Sequence, residues 1–153
     1  MDELPLDSDP GDGPLVAPHR RPLLWLVVWL GGTAGTGVRF LISEATPVLW
    51  RVPVAILGIN IVGAFLLGVL MAALQRRGPD VGRRQVIRLL LGTGFLGGFT
   101  TYSALAVDSV TLLRGGLLAH ALLYAGCTVL VGGLASFVGL AAGQRVPVRR
   151  QAA

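Results

Sequence analysis

Residues 86–113 read VIRLLLGTGFLGGFTTYSALAVDSVTLL, a largely apolar stretch with polar residues near its centre. It is long enough to cross a bilayer, which takes about 20 apolar residues, and its only charges are Arg88 and Asp108. The adjacent glycines Gly97 and Gly98 stand at its centre, just before two threonines and a serine. Gly-Gly costs about 2 kcal/mol of helix propensity relative to Ala-Ala, and hydroxyls compete for backbone hydrogen bonds. The stretch therefore predicts a membrane helix that breaks at the glycine pair.

Three more apolar stretches, residues 23–42, 52–74 and 116–143, have the same character. The chain has 153 residues, of which 53% are apolar and 14% charged, whereas a soluble domain carries about 25% charged residues. The four stretches contain three charges in all, Arg39, Arg88 and Asp108. Short connections force successive helices to run antiparallel. The sequence predicts an all-α membrane protein with four transmembrane helices over residues 23–143.

The two ends of the chain differ from this core. Residues 1–22 hold five acidic residues and five prolines, which predicts a disordered cytoplasmic tail. A secretory signal would begin with positive charge, so we expect the first apolar helix to be retained. Residues 144–153 are predicted to form a short basic cytoplasmic tail.

Arginine accounts for all 13 basic residues, and its placement predicts the orientation. Only Arg51 and Arg114 lie in the connections on one side of the membrane. The other side carries ten arginines: Arg20, Arg21, Arg76, Arg77, Arg83, Arg84, Arg88, Arg145, Arg149 and Arg150. The positive-inside rule then places both termini in the cytoplasm of a multi-pass plasma-membrane protein. Because the arginines flank apolar segments without interleaved aromatic residues, nucleic-acid binding is not predicted.

Neutral polar residues form a second pattern inside the apolar segments. Tyr124 and Thr128 share a helix face because they are four residues apart, and Thr100, Thr101 and Ser103 follow the glycine pair. Neutral hydrogen-bond donors suit a small dehydrated anion, which a full positive charge would trap. The ring of Tyr102 adds a positive edge that can also face an anion. The pattern predicts an ion pathway through the membrane.

Asn60, Arg39 and Asp108 each allow two interpretations. A membrane asparagine such as Asn60 serves either as a hydrogen bond between helices or as a pathway residue. Arg39 either extends to the interface or lines an anion vestibule. Asp108 is either functional or paired with Arg39 or with Arg51.

Enzymatic chemistry has no support in the sequence. Ser103 is not in a Gly-x-Ser-x-Gly elbow, and neither a His-Glu-x-x-His motif nor a phosphate-binding loop is present. The single cysteine, Cys127, excludes an intramolecular disulfide. We therefore expect no enzyme activity.

Three motifs carry a resemblance to a known family. They are Gly31-Gly32-x-x-Gly35-x-x-x-Arg39-Phe40, Gly58-x-Asn60-x-x-Gly63-x-Phe65-x-x-Gly68, and Gly94-Phe95-Leu96-Gly97-Gly98-Phe99-Thr100-Thr101-Tyr102-Ser103. From Gly31 to Gly143 the chain resembles the CrcB/Fluc family of fluoride ion channels. The resemblance implies an antiparallel dimer with two fluoride pathways, which exports fluoride passively and lowers its cytoplasmic concentration.

The resemblance also implies residue roles. A structural sodium ion at the dimer centre would be held by backbone carbonyls of Gly97 and Thr100. Asn60 corresponds to the pore asparagine, Arg39 to the vestibule arginine, and Asp108 to the acidic position after the break. The family's polar track corresponds to Tyr124 and Thr128. The sequence departs from the family at the two pore phenylalanines, which fall on Tyr102 and Leu105, and at a track serine, which falls on Gly132.

Two alternatives stay open at the level of sequence. An antiparallel homodimer needs one chain inserted in both orientations, whereas ten arginines against two favour a single orientation. A heterodimer with an oppositely oriented paralogue would satisfy both demands, and dual topology is the other possibility. The alternative function is a small proton-coupled four-helix exporter of the multidrug type.

Overall fold

The computed structural model describes residues 21–47 and 52–147, and its regular elements are helices. They are α1 (Pro22–Ala45), α2 (Val54–Gln75), α3 (residues 83–99), α4 (Tyr102–Arg114) and α5 (Leu118–Gln144). Four segments are long and apolar enough to cross a membrane, with α3 and α4 together forming the third. The prediction of an all-α protein with four membrane-spanning helices is confirmed. Arg51 and most of both predicted tails lie outside the described residues.

Glycines bring the helices into direct backbone contact. Helix α1 packs on α3, and α2 packs on α5. A Cβ atom at Gly35 would overlap the Phe95 carbonyl oxygen, and one at Gly139 would overlap the Phe65 carbonyl oxygen. Lipid tails are as apolar as leucine, so membrane helices associate through such close packing rather than through the hydrophobic effect. These two contacts set how α1 and α5 lie against the rest of the bundle.

The middle of α3 is wider than an α-helix. Residues Arg88–Leu96 form a π-helix between the α-helical turns Arg83–Ile87 and Gly97–Phe99. A π-helix takes i to i+5 hydrogen bonds and occurs frequently at functional sites. Gly92 faces the Met71 side chain of α2, and Gly94 faces the backbone of α1 at Val28. The sequence analysis did not predict this segment, because glycine spacing alone does not distinguish the two helix types.

The predicted helix break is present, but it follows the glycine pair by two residues. Gly97 and Gly98 are helical, whereas Thr100 (φ −77°, ψ 157°) and Thr101 (φ −152°, ψ 127°) are extended. Gly98 stays in the helix because it packs against α1, where a Cβ atom would overlap the Gly32 carbonyl oxygen. The break therefore falls where side chains replace the lost backbone hydrogen bonds, at Thr101.

Candidate functional site

The side chain of Asn60 binds the backbone of Thr101 at the break. Asn60 Nδ2 donates to the Thr101 carbonyl oxygen at 3.0 Å, and Asn60 Oδ1 accepts from the Thr101 amide at 2.8 Å. In a continuous helix that amide would donate to the Gly97 carbonyl. One carboxamide thus binds both backbone groups of Thr101 and gives its amide the partner that the break removes. The structure shows the hydrogen bond between spans, made to backbone rather than to a side chain, whereas a pathway role for Asn60 stays a prediction.

Thr101 also caps α4. Its Oγ1 accepts a hydrogen bond from the Ala104 amide at 3.2 Å, the usual arrangement at a helix N-terminus. The same oxygen lies 3.1 Å from Ser103 Oγ. Because the Ala104 amide supplies one hydrogen, the Thr101 hydroxyl keeps its own hydrogen for Ser103 or for a bound anion. The cap leaves two hydroxyl groups side by side at membrane depth.

The carbonyl of Gly98, which would accept from the Tyr102 amide in a continuous helix, is bound from α1. Arg39 Nε donates to it at 3.2 Å and Thr36 Oγ1 at 3.4 Å. The guanidinium of Arg39 therefore points toward the break. The sequence allowed Arg39 either to extend to the membrane interface or to line a vestibule, and this contact does not correspond to extension to the interface. The break is thus held from α2 on one side and from α1 on the other.

A cavity of about 360 Å³ lies against the break. Among the described residues that line it, none has a carboxylate or a cationic side chain. Six residues singled out from the sequence line it: Asn60, Gly97, Thr100, Thr101, Tyr102 and Leu105. The structure therefore gathers these six around one uncharged space in the middle of the third span.

The two positions that depart from the family's phenylalanines differ in exposure. Tyr102 is 82% exposed, so its ring projects away from the chain. Leu105 is 8% exposed and packs in a cluster with Leu112, Ala121 and Tyr124. Tyr102 is accordingly available to a neighbouring molecule, whereas Leu105 separates the cavity from α5.

Tyr124 and Thr128 are buried on α5, away from the cavity lining. The Tyr124 hydroxyl donates to Asp108 Oδ2 at 3.0 Å, which joins α5 to α4. Thr128 Oγ1 donates to the Tyr124 carbonyl oxygen at 2.7 Å within the helix. The predicted stripe is therefore divided into a group at the break and a group on α5, with Leu105 between them.

Asp108 and Arg39 line a second cavity, of about 320 Å³. Within residues 21–47 and 52–147 the ion pair is that of Arg88 with Asp80, so Asp108 and Arg39 share this space without forming one. Ser43 also lines it, and its buried hydroxyl has no hydrogen-bond partner among the described residues. An uncharged donor, a carboxylate and a guanidinium thus face one space at the end of α1.

Sequence analysis missed Thr36 and Ser43. Both lie on the face of α1 that carries Arg39, because they stand three residues before it and four after it. A spacing of four residues placed Tyr124 and Thr128 on one helix face. Spacings of three and four residues, counted from Arg39, identify Thr36 and Ser43 in the same way.

Metal binding through side chains has no support in the described ranges, where no group of three His, Cys, Asp or Glu residues could hold an ion. Backbone carbonyl oxygens can also bind a metal ion. Gly97 loses its usual helical donor because the Thr101 amide binds Asn60, and Gly97 and Thr100 both line the cavity. Carbonyl oxygens are the ligands that hard cations prefer. The residues at the break fit such an ion in ligand type.

Comparison with known proteins agrees with this architecture. Residues 26–140 match the family model described as CrcB-like protein, Camphor Resistance (CrcB). The chain belongs to the CrcB family. A relative from Leifsonia xyli subsp. xyli, named fluoride-specific ion channel FluC 2, is 46% identical over 132 residues, which cover 86% of this chain and 90% of the relative.

Two further CrcB relatives are similar over most of their length. Fluoride-specific ion channel FluC 1 of Cutibacterium acnes is 44% identical over 124 residues, covering 80% of this chain and 87% of the relative. Fluoride-specific ion channel FluC 1 of Rhodococcus jostii is 43% identical over 126 residues, covering 82% and 90%. The sequence identity to these relatives thus covers most of the chain rather than a single motif.

Proposed function

We propose that this chain is a subunit of a fluoride-specific ion channel, which exports fluoride passively across the plasma membrane and lowers its cytoplasmic concentration. The observation that carries the proposal is the break at Thr100–Thr101, held by Asn60, with a cavity beside it whose described lining is uncharged. Irregular backbone at membrane depth is tolerated where protein buries it or where it lines a cavity. Membership of the CrcB family and the names of the relatives support the same function.

The chemistry at the break suits fluoride. Fluoride is small and strongly hydrated, so a pathway must replace its water with hydrogen-bond donors. The Thr101 and Ser103 hydroxyls lie 3.1 Å apart and supply neutral donors. Without a cation in the cavity lining, the anion is not held too tightly to leave.

A proton-coupled exporter fits this geometry less well. Such an exporter needs a titratable carboxylate where the substrate binds, and the cavity at the break has none. Asp108 accepts the Tyr124 hydroxyl and lines the other cavity, near the end of α1. We therefore propose a channel. The flux experiment described below distinguishes a channel from a proton-coupled exporter.

A second subunit is part of the proposal. Gly97 and Tyr102 are exposed in the single chain, so the cavity they line opens on its outer surface. Polar backbone facing lipid costs several kcal/mol per unsatisfied group. An antiparallel partner would cover this face, and two oppositely oriented copies would place equivalent surfaces against each other.

The dimer centre would hold a sodium ion in this proposal. Gly97 and Thr100 of one chain offer two carbonyl oxygens, whereas a hard cation takes about six ligands. The second subunit would supply further oxygens. The ion would fix the two broken helices against each other, while the hydroxyl groups of Thr101 and Ser103 would bind the anion.

Orientation follows from the arginines. We propose that both termini face the cytoplasm and that the partner is an oppositely oriented paralogue, because the ten-to-two arginine bias opposes dual insertion. A dual-topology homodimer is the competing arrangement. Tags at both termini, probed from each side of the membrane, distinguish the two: one orientation supports the heterodimer, and equal populations support the homodimer.

Anion efflux from liposomes tests the function. We expect the chain with its partner to release fluoride and retain chloride, as measured by ion-selective electrodes. Thr100→Val should lower fluoride efflux at least about tenfold, since it replaces a polar residue of the cavity lining by an apolar one. Thr111→Val is the matched control, because both threonines donate to the carbonyl four residues earlier and only Thr100 lines the cavity. Equal efflux of both anions, or efflux that requires a proton gradient, would overturn the proposal.

A further inference from the structure

One end of the helix bundle carries a cluster of arginines that lies outside the proposed ion pathway. The connection between α2 and α3, the start of α3 and the end of α5 meet there. Asp80 is the acidic residue at this end of the described chain. We call the group the basic end, and its members are Arg76, Arg77, Arg83, Arg84, Arg88 and Arg145.

Hydrogen bonds unite these segments into one surface. Arg76 Nη1 donates to the carbonyl oxygens of Gln144 and Val146, the latter at 3.0 Å, which joins the end of α2 to the end of α5. Arg88 Nη2 lies 2.6 Å from Asp80 Oδ2, which joins the connecting loop to α3. The basic end is therefore a built surface rather than a set of independent side chains.

A cavity of about 320 Å³ lies within the basic end. Arg84 and Arg88 line it from one face of α3, since they are four residues apart. Met71 and Leu74, in the last turns of α2, form its apolar side. Asp80 also lines the cavity, beside the two arginines. The cavity thus has a charged half with a net charge of +1 and a hydrocarbon half at the end of two membrane-spanning helices.

Arg84 is the cation positioned for a ligand. Its guanidinium lies over Gly78, where a Cβ atom would approach Arg84 Nη1 to 2.5 Å, so the missing side chain leaves room for it. Among residues 21–47 and 52–147 it forms no ion pair within 4.0 Å. The Arg88–Asp80 pair is partly exposed, at 34% and 45% of the two side chains, and such pairs contribute little stability. Arg88 can therefore exchange Asp80 for another anion at low cost.

We propose that this cavity binds the headgroup phosphate of an anionic phospholipid, with Arg84 and Arg88 holding the phosphate and Met71 and Leu74 contacting the glycerol and the first acyl carbons. Guanidinium groups bind phosphate through paired N–H donors. Basic pockets between membrane helices on the cytoplasmic side are suited to lipid headgroups. A free phosphate ion would satisfy only the charged half, which is why the lipid is favoured.

Native mass spectrometry of the purified full-length protein tests the proposal. The protein is equilibrated in mixed micelles with phosphatidylglycerol and phosphatidylcholine of identical acyl chains. We expect preferential retention of phosphatidylglycerol, reduced about fivefold in Arg84→Gln, since one arginine near a membrane surface contributes about 1 kcal/mol to binding anionic lipid. Arg77→Gln is the matched control, because it removes the same charge from the basic end outside the cavity lining.

Three outcomes would overturn the proposal. The first is equal retention of the two lipids by the unaltered protein, which needs no variant to fold. The second is an equal loss in Arg77→Gln and Arg84→Gln, which would indicate a diffuse surface charge. The third is displacement of phosphatidylglycerol by millimolar inorganic phosphate, which would indicate a site for a free anion. Asp80→Asn frees Arg88 and should raise retention, so a fall would count against the site as well.

Discussion

The carboxamide of Asn60 binds both backbone polar groups of Thr101, 41 residues away along the chain, at 3.0 Å and 2.8 Å. A helix that breaks inside a membrane must find partners for the groups it releases, because no water is available there. A carboxamide carries one donor group and one acceptor in a fixed arrangement. Asn60 therefore stabilises the break at Thr101 through hydrogen bonds to the backbone. This role is distinct from contact with an ion.

Asn60→Leu should destabilise the protein by about 1–3 kcal/mol, because the part-buried Thr101 amide loses its acceptor. Fluoride efflux should fall with it. Asn60→Gln keeps the carboxamide on a side chain one carbon longer, so its stability should lie between those of Asn60→Leu and the unaltered protein. Thermal unfolding in detergent measures the order of the three proteins. If Asn60→Leu unfolds like the unaltered protein, the hydrogen bonds do not hold the break.

Removal of the α4 cap should have a smaller effect. Thr101→Ala deletes the oxygen that accepts the Ala104 amide, and loss of an N-terminal cap costs about 1 kcal/mol. Thr101→Ser retains the oxygen and should retain the stability. Unfolding temperatures of the two variants give the comparison, and similar losses in both would point to the methyl group rather than to the cap.

The bond between Tyr124 and Asp108 should appear as coupling between the two positions. We expect Tyr124→Phe and Asp108→Asn each to lower fluoride efflux, and the double variant to lose less than the sum of the single losses. Residues in direct contact typically couple by about 0.5–3 kcal/mol. Efflux rates of the four proteins in the cycle, converted to activation free energies, measure this quantity. Strictly additive losses would show that the two groups act independently.

Close helix contact makes Gly35 intolerant of a methyl group. Gly35→Ala forces a Cβ atom into the Phe95 carbonyl oxygen and should cost about 1–3 kcal/mol through displacement of α1. Gly37→Ala, two residues further along α1, is the control because a Cβ atom there has no neighbour within 4 Å. Yield of folded protein and unfolding temperature distinguish the two. Equal behaviour of the pair would mean that α1 does not pack on α3 as described.

Much of the architecture was accessible from the sequence. Bilayer thickness sets the length of an apolar segment, so uninterrupted runs of about 20 apolar residues predict the spans without tertiary information. Local helix propensity likewise predicted a break in the third span. Its position was missed by two residues, because Gly98 is kept helical by contact with the Gly32 carbonyl oxygen of α1, a contact that propensity does not contain.

The partners of the polar residues were decided by the tertiary structure. Sequence spacing placed Tyr124 and Thr128 on one face, but it could not assign Asp108 to Tyr124, the Gly98 carbonyl to Arg39, or Thr101 to Asn60. These pairs join segments that are distant along the chain. Arg39 reaches the Gly98 carbonyl where glycines let the backbones of α1 and α3 approach. Four membrane spans and a weak point in the third follow from the sequence alone, which also predicts an ion pathway of neutral polar residues. Only the packing of the helices decided which backbone groups each polar side chain binds, since a hydrogen bond requires its atoms to lie within about 3 Å of each other.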